Sequence, residues 1–153
     1  MDGMTYTTLL ALALLALAGQ EPGASPDARA HADAALHAGT LYRLDPALLV
    51  ALAWEESRGR SDLVSPRGAC GATQVLPKYV PDVSCADLQR LDVAYAVGAW
   101  ALTRWREHCP VDPLACYNGG NAPGRASLAY ARRVRARARW IGAWMRRAEE
   151  VTQ

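Results

Sequence analysis

Glu55 and Glu56 stand side by side at the end of a run, Pro46 to Trp54, that is otherwise almost wholly apolar. Burial disfavours the charged form of a carboxyl group, so an acid in such surroundings holds its proton toward neutral pH and is suited to donate it to a leaving oxygen. The negative end of a helix dipole acts in the same direction. Periodicity does not separate the two residues, because the helix faces above both are apolar. Taken alone, the pair also fits a plainer description, two glutamates solvated at a helix end. The neighbouring residues make the chemistry worth pursuing: a Gly/Ser/Pro stretch runs from Ser57 through Gly68 and Gly71 to Gln74 and Pro77. Glycines let backbone approach closely, and the Gln carboxamide both donates and accepts.

The elements that must hold these groups are helical. Asp45-Pro46 is a helix start, since Asp accepts from an orphan N–H and proline's fixed φ suits the first turn. The helix it opens runs to about Ser57, where Gly59 can end it. Being apolar all round, it belongs in the middle of a domain. Before it, Ala30, Ala34, Ala38 and Leu41 give a small-residue face to a helix from Pro26 to about Leu44. After it, Ser61 to Gly71 reads as an ordered loop, and Ala72 to Val80 as a short piece broken by Pro77 and Pro81. One helix is expected from Ala86 to about His108, a short one from Asp112-Pro113 to Asn118-Gly119-Gly120, and a last one from Ala126 to about Glu149. The inner stripe of the last is Ala131, Val134, Ala138, Ile141 and Met145. No segment alternates with period two, so the domain should be all-α.

The 153 residues are one domain's worth, with a globular composition and a net charge of +2. Leu9 to Ala18 has the length of a signal-peptide apolar region and ends in Ala16-Leu17-Ala18, an A-x-A cleavage pattern, although no Lys or Arg precedes it. Residues 1–18 are therefore expected to be a signal peptide or N-terminal anchor, 19–26 a Gly/Pro/Ser linker, and 27–153 the working domain. Export suits the four cysteines, Cys70, Cys85, Cys109 and Cys116, which allow three connectivities. Short-range pairing, Cys70 with Cys85 and Cys109 with Cys116, is the expected one; buried reduced thiols in a cytosolic protein are the alternative. The three histidines are scattered and no C-x-x-C occurs, so no metal site is expected.

Four blocks stand in order: Glu56-Ser57; Ser65-Pro66-x-Gly68-Ala69-x-Gly71-x-x-Gln74-x-x-Pro77; Tyr117-Asn118-x-Gly120; and Tyr130-x-x-x-Val134. Over roughly residues 40 to 140 they resemble the lytic transglycosylases with a goose-lysozyme-like catalytic domain. The resemblance implies a single lysozyme-like helical domain with a substrate groove. It also implies cleavage of the β-1,4 bond between N-acetylmuramic acid and N-acetylglucosamine in peptidoglycan, with a 1,6-anhydro product and no cofactor. It selects Glu56 over Glu55 as the acid, because the glutamate before the serine has that role. It assigns Ser57, Ser65, Gln74, Leu76, Tyr117, Asn118 and Tyr130 to the substrate or the acid's surroundings.

The chain departs from the family where Gly71-Ala72-Thr73-Gln74 replaces the usual Gly-Leu-Met-Gln, where Leu76 replaces a frequent Met, and where Cys70 enters the block. Hydrolysing glycosidases need a second carboxylate, about 5 Å from the acid or somewhat farther. Asp62, Asp82 and Asp87 are the candidates, none with a setting that marks it as buried, which favours the transglycosylase route over a muramidase. A groove that binds peptidoglycan without cleaving it is the reading of another class. The partners implied are glycan strands and, for so small an enzyme, a secretion system, pilus or phage machine. An exported or envelope location, with membrane anchoring by the N-terminal segment, goes with them. The arginines of the last thirty residues read most simply as a solvated face, with attraction to an anionic wall as the alternative. Nothing else speaks for nucleic acid.

Overall fold

Asp45 and Pro46 do open a helix. In the computed structural model, which describes residues 4–21 and 26–152, the Asp45 carboxylate accepts from the Ala47 N–H at 2.9 Å and the helix runs Pro46–Ser57. This helix is α3, after α1 (Tyr6–Ala18) and α2 (Ala28–Tyr42), and it is followed by α4 (Cys85–Leu88), α5 (Leu91–His108), α6 (Pro113–Gly119) and α7 (Arg125–Val151). A single 3₁₀ turn, Pro77–Tyr79, lies between α3 and α4. Among the described residues there is no strand, only isolated bridges joining Val64, Cys70 and Val75. The described domain is all-α, as expected.

α3 lies at the centre, as its apolar surface requires: Leu49, Val50, Ala51, Leu52, Ala53 and Trp54 are buried. It packs on α7, α2 and α5. The sequence points to Gly59 alone as its terminator. Arg58, in the left-handed region, ends it together with Gly59, which also has positive φ. The Trp54 carbonyl accepts both from the Arg58 backbone N–H at 2.9 Å and from the Arg58 guanidinium at 2.7 Å.

Three expectations are corrected by packing. Ala34 and Ala38 of the expected face are buried, but Leu41 is 61% exposed, and Ala28, Ala32, Ala35 and His31 complete the inner face of α2. The helix expected from Ala86 to His108 is two helices, interrupted at Gln89 and Arg90. There the Leu88 carbonyl lies so close to Gly71 that a Cβ on Gly71 would come within 1.8 Å of it. Gly71, at φ +77°, thus meets the chain's own backbone. Finally, the arginines of α7 are not all solvated, since Arg133, Arg135 and Arg137 are drawn into ion pairs with carboxylates of other elements.

Cys70 is bonded to Cys85 and Cys109 to Cys116. The first bond ties the loop after α3 to α4, and the second closes the connection between α5 and α6. Of the N-terminal segment and linker, residues 1–3 and 22–25 lie outside the described residues. Residues 6–18 form α1, whose Leu9, Leu10, Leu14 and Leu17 are buried as it packs against α2 and α7. No described helix is long and apolar enough to cross a membrane.

Candidate active site

The two glutamates at the end of α3 occupy different environments, and α7 makes the difference. Tyr130, Arg133 and Arg137 are spaced three and four residues apart, so they share one face of that helix. Tyr130 donates its hydroxyl proton to Glu56 Oε1 at 2.5 Å. Arg137 donates to Glu55 Oε1 at 2.7 and 3.0 Å, and Arg133 to Glu55 Oε2 at 3.2 Å.

Their proton affinities diverge accordingly. Burial pushes the Glu56 carboxyl up to about 7; the Tyr130 hydrogen bond opposes this and the Glu55 charge adds to it. Burial acts upward on Glu55 as well, but the hydrogen bonds from Arg137 and Arg133 and the charges of Arg137 and Arg58 bring it below the usual carboxylate range. At neutral pH Glu55 is an ion-paired carboxylate, while Glu56 is poised to give or take a proton. Glu56 Oε2 has no protein hydrogen-bond partner among the described residues. No fully buried side-chain oxygen or nitrogen there is left unpartnered, so this oxygen is not sealed from the surface.

The remaining residues close in around this carboxyl. Tyr117 on α6 donates to the Thr73 carbonyl at 2.7 Å. Burial, then the nearby Glu56 charge, raises the proton affinity of Tyr117 and Tyr130 well above that of an ordinary phenol, so both stay neutral donors. Ser57 Oγ lies 3.0 Å from the Ala53 carbonyl and 2.9 Å from that of Ala72, linking the end of α3 to the following loop. Ser65 accepts from the Ala69 N–H within that loop at 3.0 Å. Gln74, at φ +50°, gives its amide N–H groups to the carbonyls of Leu63 and Gly71, which leaves Oε1 without a protein partner among the described residues. Asn118 is exposed, with Oδ1 accepting from Ser127 at 2.9 Å. Leu76 leads into the 3₁₀ turn and is partly buried.

Asp62 and Asp82 are exposed, and Asp87 is the carboxylate of a capping box with Ser84 at the start of α4. Among the described residues, Glu55 is the carboxylate whose charge bears on Glu56.

Sequence reasoning misses several participants. Ser127 is buried, orients Asn118 and fills the space above Gly119, where a Cβ would meet its Oγ at 2.3 Å. Thr73 is buried and donates to the Ala94 carbonyl at 2.7 Å, fixing the loop on α5. Arg133 and Arg137 are hidden within a general charge run, although their three-and-seven spacing from Tyr130 puts them on its face. Arg135 is likewise engaged, with Asp112 at the start of α6.

A search among curated proteins finds no match. The family model described as the Transglycosylase SLT domain matches residues 33–140, which takes in α3, the loop with its disulfide, α6 and the Tyr130 face of α7. The chain therefore belongs to the Transglycosylase SLT domain family, a family of lytic-transglycosylase-type, peptidoglycan-degrading domains.

Proposed function

We propose that the protein cleaves the β-1,4 bond between N-acetylmuramic acid and N-acetylglucosamine with Glu56 as acid and then base, forming a 1,6-anhydro product. The Glu56 carboxyl gives its proton to the glycosidic oxygen as the C1–O bond breaks, so the N-acetylglucosamine side leaves as an alcohol. The resulting carboxylate then takes the proton of the muramyl 6-hydroxyl, whose oxygen bonds to C1. Glu56 ends protonated again and no water is consumed.

One observation carries this reading: a single carboxyl near pKa 7, held through one oxygen by Tyr130 and open at the other, whose only carboxylate neighbour among the described residues is bound to arginines. The common hydrolytic glycosidases use a free second carboxylate, and Glu55 is committed to Arg133 and Arg137. Substrate contact is assigned to Leu76, to Gln74 through Oε1, and to Asn118 through Nδ2, with Tyr117 and Tyr130 bordering the acid. Ser57 and Ser65 shape the loop that presents them.

We place the enzyme at the cell envelope, directed there by the N-terminal segment and opening the wall locally for a secretion, pilus or phage machine. Fractionation of cells and N-terminal sequencing of the recovered protein test the location and the processing together. The reaction itself is tested by digesting purified peptidoglycan and reading the masses of the muropeptide ends. Reducing ends one water heavier than the anhydro form would make the protein a muramidase, and no cleavage at all would make it a binder.

A further inference from the structure

Glu55 is more than a bystander to its neighbour. Its side chain is 3% exposed, yet it is ionised, and a buried carboxylate persists only if its charge and lone pairs are met. Arg137, 20% exposed, and Arg133, 57% exposed, meet them. Tyr130, which holds Glu56, lies on the same face of α7, and the three residues span about 10 Å along it. Two consecutive residues of α3 are therefore gripped by one face of α7, Glu56 by the phenol and Glu55 by the guanidinium pair.

The grip continues outward. Arg137 Nη1 is 3.9 Å from Glu21, just beyond α1; Glu21 also receives Arg58 Nε at 2.7 Å and the Trp54 indole N–H at 3.2 Å. Two carboxylates and three guanidiniums thus alternate behind the candidate acid, and all but Glu21 come from α7 or from the end of α3.

We propose that Glu55, with Arg133 and Arg137, is a positioning residue for Glu56: the cluster fixes the last turn of α3 against Tyr130 and keeps the charge beside the acid balanced. The proposal rests on the assignment of Glu56 as the acid and adds which residues set its working pH. The groups facing the pair are Arg58 at the end of α3, Tyr117 on α6, Tyr130, Arg133 and Arg137 on α7, and Glu21. From α2 and α5, His31 and Tyr95 are hydrogen-bonded to each other at 2.8 Å, with His31 held neutral by burial. Neither tyrosine beside Glu56 ionises in the working range, so the charges that tune it are those of the cluster.

The consequence is a pair of opposite shifts. Glu55→Gln removes a negative charge and leaves the arginines, which favours ionised Glu56, so the alkaline limb of activity moves to lower pH. Arg137→Gln leaves Glu55 less compensated, which disfavours ionised Glu56, so the limb moves to higher pH. Each shift should be about half a pH unit or more. Arg133→Gln, at the more exposed site, should move the limb in the same direction as Arg137→Gln and by less.

The experiment is the pH profile of peptidoglycan turnover for wild type and the three variants, with melting temperatures and with Glu56→Gln alongside. A carboxyl-carbon NMR titration of Glu56 gives the same quantity for a folded variant that turns over too slowly. Opposite displacements for Glu55→Gln and Arg137→Gln support the proposal. Equal pH profiles, or displacement in one direction only, overturn it while leaving Glu56 as the acid. Turnover retained in Glu56→Gln overturns the assignment of the acid and the proposal with it.

Discussion

Replacing Glu56 by Gln should make the protein more stable at alkaline pH while abolishing turnover. The native state holds the Glu56 proton to about 7, whereas the unfolded chain releases it near the ordinary value of 4.5. Between these values the folded state binds more protons than the unfolded one, so stability falls as pH rises. The full difference corresponds to about 3 kcal/mol of lost stability above pH 7. Gln is neutral at every pH and accepts the Tyr130 hydrogen bond through its amide oxygen, so the variant escapes this loss. For a chain of this size, such a gain corresponds to roughly 6–12 °C in Tm.

Thermal unfolding of both proteins across pH 4 to 8.5, roughly the span of the two pKa values, reads it directly. Contributions from groups that do not interact with Glu56 cancel in the difference between variant and wild type. The expected difference is near zero at the acid end and grows to its full value above neutrality. Glu55→Gln is the counter-case. Its folded pKa is depressed, so Glu55 contributes stability above the ordinary carboxyl value and loses it as pH falls. That variant should lose stability at alkaline pH and approach wild type in acid. A Glu56→Gln difference that does not change with pH would refute the claim that the fold keeps this carboxyl protonated.

Three further outcomes are expected. Tyr130→Phe removes the one protein hydrogen bond to Glu56 that opposes its high pKa, so turnover should fall by about 10- to 100-fold and its alkaline limb should move to higher pH; an unmoved limb in a pH-rate profile would contradict this. Replacing Cys70 and Cys85 together by Ser opens a loop of 15 residues' separation, which should cost about 3 kcal/mol and be seen as a lower denaturant midpoint, against no change if the bond is idle. A chain beginning at Gly19 lacks α1 and uncovers apolar surface on α2 and α7, so its Tm should drop by about 10 °C, whereas an equal Tm would show α1 to be dispensable for the fold.

How far the residues alone disclose this arrangement depends on whether a feature is local. The start of α3 at Asp45-Pro46 and the capping of α6 by Asp112 are chemistry between near neighbours, and both are legible. The stripe of Val134, Ile141 and Met145 on α7 is periodic, and it is buried as expected. The interruption at Gln89 and Arg90 is not local: the apolar period runs through it, and the break coincides with the close approach of Gly71, seventeen residues upstream of Leu88. The choice between Glu55 and Glu56 is still less local. Both sit at the end of the same apolar helix, and they are told apart by α7, which brings a phenol to one from 74 residues away and guanidiniums to the other from 78 and 82. Periodicity along α3 carries no record of that partner. The same contact explains why an arginine-rich helix reads as merely solvated, since an ion pair across such a distance leaves no spacing to read.

Digestion of purified peptidoglycan by wild type beside Glu56→Gln, with the muropeptide ends identified by mass, tests the central claim most directly. The expected result is 1,6-anhydro ends from wild type and none from a folded Glu56→Gln. Hydrolysed ends one water heavier, or anhydro ends still formed without the Glu56 carboxyl, would contradict it.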